Sequence, residues 1–138
     1  MKELMTKLRI VLPLLISSIL LSCKKEPGPG GLASIKGKVY AYDFTAGKTL
    51  LSEGYLGDLR VYIATADDSI AFDDVRTSFD GSFEFPFLRK GSYRVWVFAE
   101  SDTLTTNPTP DNQLYYMQTA EITEKKQDVI LPDFEVNI

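Results

Sequence analysis

From Ile35 onward, apolar and polar side chains change places at nearly every step. Ile35, Gly37, Val39 and Ala41 alternate with Lys36, Lys38, Tyr40 and Tyr42, which predicts a strand with one buried face. Leu59, Val61 and Ile63 alternate with Arg60 and Tyr62 in the same way, and Ile70 to Ser78 gives a weaker, acid-rich third strand. Asp80-Gly81 is a tight-turn pair, and Phe83 and Phe85 flank Glu84 directly after it. Pro86 should end that strand or hold it at a sheet edge, because proline brings no N–H to a ladder. After a second turn at Lys90-Gly91, Tyr93, Val95, Val97 and Ala99 share one face of a fifth strand. Thr103 to Asp111, with Pro108 and Pro110, reads as a loop. Leu114 to Ile122 is a sixth strand, and Gln127 to Ile138 a seventh, broken or bulged at Pro132. No stretch keeps a helical period for ten residues, so the pattern predicts an all-β antiparallel sandwich.

Four segments occur in a telling order: Ile35-Lys36-Gly37-Lys38-Val39, Leu59-Arg60-Val61-Tyr62-Ile63, Thr77-Ser78-Phe79-Asp80-Gly81-Ser82-Phe83-Glu84-Phe85, and Leu88-Arg89-Lys90-Gly91-Ser92-Tyr93-Arg94-Val95. This arrangement resembles the carboxypeptidase regulatory-like domains, above all in Asp-Gly-x-Phe-x-Phe and Leu-x-x-Gly-x-Tyr-x-Val. The resemblance covers about Ser34 to Glu100 and implies a prealbumin-like (transthyretin-like), seven-stranded Greek-key sandwich. It also implies a non-catalytic role, since such domains serve as appendages of peptidases, as modules of outer-membrane transporters and as small cell-surface lipoproteins.

The N-terminus follows a different rule. Lys2, Lys7 and Arg9 precede an apolar run from Ile10 to Leu21, the layout of a secretory signal. The run is too short for a spanning helix, which needs about 20 apolar residues, and Pro13 interrupts it. Leu20-Leu21-Ser22-Cys23 resembles the box that ends a bacterial lipoprotein signal. The resemblance implies cleavage before Cys23, the only cysteine, and acylation of its thiol. A signal running into Lys24-Lys25-Glu26 also resembles those of Bacteroidetes, where many lipoproteins face outward. The expected organisation is a signal peptide over 1–22, a lipidated Cys23 with a Pro/Gly-rich tether over 23–33, and one β-sandwich domain over 34–138. Pro27 to Gly31 is expected to bury nothing.

Charge and composition narrow the chemistry. The whole chain carries −4. The signal holds three bases and one acid, so processing makes the remainder more negative by two. An acidic domain repels nucleic-acid phosphates, so no nucleic-acid partner is expected. With no second cysteine there is no disulfide, and burial must hold the fold. The chain has no histidine, which removes Ser-His-Asp triads, Cys-His pairs and histidine metal sites together. Catalytic residues, cofactors and a metal are therefore not expected. Asp67, Asp68, Asp73, Asp74 and Asp80 could still supply oxygen ligands for calcium, although no Asp-x-Asp-x-Asp-Gly loop is present. An internal isopeptide bond among Lys36 or Lys38, Asn137 and Glu100 is opposed by parity, which puts both lysines and Asn137 opposite the core residues of their strands.

What remains is a binding face. Opposite Tyr93, Val95 and Val97, the fifth strand carries Arg94, Trp96 and Phe98, and exposed aromatic-plus-arginine clusters make interface anchors. Tyr115 and Tyr116, with Tyr40 and Tyr42, would extend that surface toward sugars or proteins. The competing expectation is that Trp96 and Phe98 lie under Gly47 to Gly57 or Thr103 to Asp111 and complete the core. The function expected is a non-enzymatic, lipid-anchored envelope protein, placed at the outer membrane, acting as a structural or binding module of a transport or adhesion complex. A carbohydrate-binding lipoprotein using the aromatics around Trp96 is the alternative.

Overall fold

The computed structural model describes residues 26–45, 47–100 and 113–138. Signal residues 1–22, Cys23 and the loop Thr103 to Asp111 lie outside the described residues. Nine strands and no helix appear among those described: β1 (Pro29–Phe44), β2 (Leu50–Tyr55), β3 (Arg60–Thr65), β4 (Asp73–Arg76), β5 (Ser82–Leu88), β6 (Gly91–Glu100), β7 (Gln113–Ile122), β8 (Asp128–Ile130) and β9 (Phe134–Asn137). They form two sheets that share one core, a sandwich-like arrangement.

The first sheet is built on β1. One edge takes β5 and then β2, both antiparallel, and the changeover falls at Val39. There the Val39 N–H donates to the Gly81 carbonyl while its own carbonyl accepts from Leu56. The other edge takes β8 and β9, both parallel to β1. The second sheet runs β4-β3-β6-β7 and is antiparallel throughout. Expected alternation holds in both sheets: Ile35, Val39 and Ala41 of β1, Val61 and Ile63 of β3, Phe83 and Phe85 of β5, and Tyr93, Val95 and Val97 of β6 are buried together. Burying each such side chain contributes about 1.5–3 kcal/mol.

The turns behave as their residues require. Gly81 sits at φ 74°, and its N–H donates to the Ser78 carbonyl to close the β4–β5 turn. Gly91 has φ 144°, and a Cβ there would meet Pro27 Cγ at 2.4 Å, so only glycine admits the N-terminal segment. Pro86 lies within β5, which pairs with β1 alone among the described strands, so the edge outcome applies.

Three expectations change. Nine strands replace seven, because Leu50–Tyr55 forms a strand and Pro132 separates β8 from β9. The sheets are not wholly antiparallel, since β8 and β9 run with β1. The segment expected as a tether up to residue 33 is part of the fold from Gly28 on. Pro29 and Ala33 both pair with Leu88, and Arg89 N–H donates to the Gly28 carbonyl at 2.9 Å. Backbone hydrogen bonds, which need no apolar side chain, dock this segment. Buried Tyr93 locks it further: its hydroxyl accepts from Gly28 N–H at 2.8 Å and donates to the Arg89 carbonyl at 2.7 Å. Burial raises the Tyr93 phenol above its usual value, so it stays neutral.

Candidate functional site

Strand parity puts alternate residues of β3, β6 and β7 on the solvent side of the second sheet, and the ladder sets which of them meet. Tyr62 pairs with Trp96, and Trp96 pairs with Met117. Phe98 pairs with Tyr115. The result is a closed ring of aromatic contacts. Tyr62 stacks on Trp96 (centroids 5.7 Å apart, planes 15°), Trp96 meets Tyr115 at 6.1 Å, Tyr115 meets Phe98 at 5.7 Å, and Phe98 returns to Tyr62 edge-on at 5.7 Å. Such pairs contribute about 0.5–1.5 kcal/mol beyond area burial.

Within this ring the rings differ in exposure. Trp96 is only 7% exposed, although it lies outside the central core, whereas Phe98 is 37% and Tyr115 50% exposed. Met117 is exposed beside them. Trp96 therefore acts as the base of the patch, and Phe98, Tyr115 and Met117 as its contact surface. Charged pairs edge the same sheet on β3 and β4. Arg60 lies 3.4 Å from Asp74, and Arg76 lies 2.8 Å from Asp58. An apolar centre beside a charged rim is the common anatomy of a protein interface.

Other expected members are placed differently. Arg94 shares this face, but a guanidinium nitrogen donates to the Asp68 carbonyl, so it fastens the β3–β4 turn and is not a free anchor. Its Nε is buried without a hydrogen-bond partner among the described residues. Tyr116 points the opposite way and packs partly buried against the core, because neighbours on a strand alternate. Tyr40 and Tyr42 belong to the other sheet, with Tyr55, and do not extend the patch. Gly47 to Gly57, one candidate cover for Trp96, contains β2, which pairs with β1 in that other sheet. Tyr62 and Met117 were not foreseen as site residues; only the cross-strand register places them beside Trp96.

The acidic residues do not converge. Asp68 accepts from the Thr65 hydroxyl, Asp73 from the Asp74 N–H, and Asp74 pairs with Arg60. Asp80 lies at the opposite end of the sheets, where the Ser82 hydroxyl and N–H, with Lys38, hold its carboxyl below the usual range. Among the described residues no three acids lie close enough together to hold a metal ion. Lys36 and Lys38 sit on the solvent side, paired with Glu84, Asp128 and Asp80, which is not the buried setting isopeptide chemistry needs. A depression of about 690 Å³ beside these lysines is lined by Arg76, Glu84 and Asp133 as well, and each of its three cations is ion-paired, Lys36 with Glu84, Lys38 with Asp80 and Arg76 with Asp58.

No protein-family model matches the chain, and no curated protein sequence does either. A crystal structure described as a "putative carbohydrate binding protein" from Pseudomonas aeruginosa is similar over 76% of this chain and 90% of that one, at 14% identity and a TM-score of 0.45. A likeness that remote carries no argument about function.

Proposed function

We propose that the chain is a lipid-anchored, non-catalytic binding module of the bacterial cell envelope. Cys23 holds it at the outer membrane, and the outer face of β3, β6 and β7 takes a protein partner from a transport or adhesion complex. The observation that carries the binding role is the exposed Phe98–Tyr115–Met117 surface over buried Trp96 stacked on half-buried Tyr62, an apolar patch that no core requirement explains. The lipobox-like Leu20-Leu21-Ser22-Cys23 supports the anchor, and a chain without histidine supports a non-catalytic role.

Glycan binding is the second reading, favoured by the half-exposed ring of Tyr115. It would use Tyr115 and Phe98 as platforms, because buried Trp96 offers too little open ring face for a sugar. Three experiments test these proposals. Palmitate labelling should mark the wild-type protein and not a Cys23→Ser variant; an unlabelled, soluble wild-type protein removes the anchor. Crosslinking in intact cells should capture a membrane protein with the wild type and not with a Phe98→Ser/Tyr115→Ser variant. Glycan-array signal that depends on Tyr115, without protein capture, would replace the partner reading with the sugar one.

A further inference from the structure

The docked N-terminal segment fixes where an anchor would pull. Pro27 packs on Gly91, and Gly28 is tied to Tyr93 and Arg89. Cys23 stands four positions before Pro27. Four residues reach at most about 14 Å when fully extended. An acyl chain on Cys23 therefore holds one particular end of the sandwich against the bilayer, the end formed by the β5–β6 turn, the Thr123–Gln127 turn and residues 26–31.

That end is built unlike the other. Gly30 to Leu32 bulge out of β1 between the two residues that pair with Leu88, leaving Leu32 60% exposed. Next to Leu88, Phe87 adopts φ 60°, a conformation bulky residues avoid, and is 67% exposed. Two apolar side chains thus project from neighbouring bulges where burial would have been the cheaper arrangement. Leu32, with Gly30, Gly31, Arg89, Lys90 and Lys125, lines a pocket of about 380 Å³. None of these three cations forms an ion pair among the described residues. In the sequence leading to it Lys24 and Lys25 add two positive charges and Glu26 one negative, a net gain of one. This cationic cluster stands out in an acidic chain.

We propose that this end seats on the membrane: Leu32 and Phe87 enter the boundary between headgroups and acyl chains, while Arg89, Lys90 and Lys125 meet the phosphates of anionic lipids. Apolar side chains with nearby cations are the composition that binds such an interface. Asp67 and Asp68 lie at the same end but in the β3–β4 turn of the second sheet, so repulsion there tilts the β1–β5 side downward. The tilt leaves the aromatic patch of the second sheet clear of the lipid. The proposal rests on acylation of Cys23.

The test uses purified full-length lipoprotein in phosphatidylglycerol vesicles. Acylation occupies the native thiol, so Phe87→Cys and Phe79→Cys each introduce one free thiol for a polarity-sensitive fluorophore. Phe79 is fully exposed in the β4–β5 turn at the far end and serves as the internal reference. The label at 87 should shift to the blue and lose its quenching by iodide, while the label at 79 should not. Adding Arg89→Glu, Lys90→Glu and Lys125→Glu should restore quenching at 87 with the protein still vesicle-bound. Equal quenching at 87 and 79 in a protein whose mass carries acyl chains overturns the seating alone. A mass without acyl chains removes the anchor and the seating with it.

Discussion

Both sheets present aromatic rings to solvent, and the two faces show why aromatics alone do not mark a binding surface. On the first sheet, Tyr40 meets Tyr42 and Tyr55 edge-on at 5.2 Å. The polar ends of that cluster are already engaged: the Tyr55 hydroxyl donates to Asp133 at 3.1 Å, and Lys38 lies 4.5 Å over the Tyr55 ring. Lys36 continues the same face with ion pairs to Glu84 on β5 and Asp128 at β8. These contacts tie four strands together across their outer side. On the second sheet the rings meet one another and end in exposed Phe98, Tyr115 and Met117, where the Tyr115 hydroxyl donates to Met117 Sδ at 3.2 Å, a bond within β7 that ties in no second strand. One face fastens the fold; the other has surface left over.

The largest difference should appear in stability. Trp96→Ala removes a buried indole from its stack on Tyr62 and should cost about 3 kcal/mol, the lower end for a large aromatic because the space opens to water. Tyr42→Ala, on the first sheet, should cost clearly less, since neighbouring tyrosines remain packed. Urea unfolding midpoints of the two variants make the comparison. If they matched, Trp96 would be a surface ring like the others. The same difference is visible spectroscopically, because Trp96 is the only tryptophan. Its emission should be blue-shifted and resist iodide.

A second contrast is in binding. Phe98→Ser/Tyr115→Ser should abolish partner capture; it also removes three contacts of the aromatic ring, so the unfolding midpoint should fall, with the protein still folded under capture conditions. Tyr40→Ser/Tyr55→Ser should lower the midpoint as well but spare capture. Loss of capture from the first-sheet variant would show that the division of labour between the faces is wrong.

Parity makes much of this arrangement legible in the sequence itself. Ile35 to Ala41, Val61 and Ile63, and Tyr93 to Ala99 alternate strictly because one side of each strand is buried, and the same rule puts Trp96 and Phe98 outward. Tyr115 and Tyr116 were readable by that rule too, since adjacent residues cannot share a face. β2 was not. Every residue of Leu50–Tyr55 except half-buried Gly54 is exposed, so the strand owes its existence to backbone bonds with β1 and leaves no hydrophobic signal. The parallel alignment of β8 and β9 with β1 depends on how the chain returns after β7, which no local pattern encodes. Docking of Gly28 to Gly31 was hidden for a related reason: glycine carries no side chain to advertise a contact made by backbone.

The smallest expected effect separates the faces by pH. The Ser34 hydroxyl, followed by Lys36, stabilises the Asp128 carboxylate and holds its pKa below the ordinary aspartate value. Asp80 is lowered in the same direction, chiefly by Ser82. For a carboxyl depressed in the folded protein, the contribution is complete above its unfolded pKa, about 3.9, and is lost as pH falls through the lower folded value. Lys36 moves the opposite way, raised mainly by Asp128, so its contribution is complete below the unfolded lysine pKa and is lost as pH climbs through the raised one. All three groups are solvent-accessible, so salt screens them and each effect is slight. Asp128→Asn should therefore flatten the stability curve at both extremes, since it removes the acid-side group and the main partner of Lys36 together. Asp80→Asn should flatten the acid side alone. Thermal unfolding of the three proteins across pH at low ionic strength reads this directly, and addition of salt should bring the curves together. If Asp128→Asn left the alkaline limb unchanged, the Lys36–Asp128 pair would be a contact without energetic weight, and the first sheet's outer face would be held by its tyrosines.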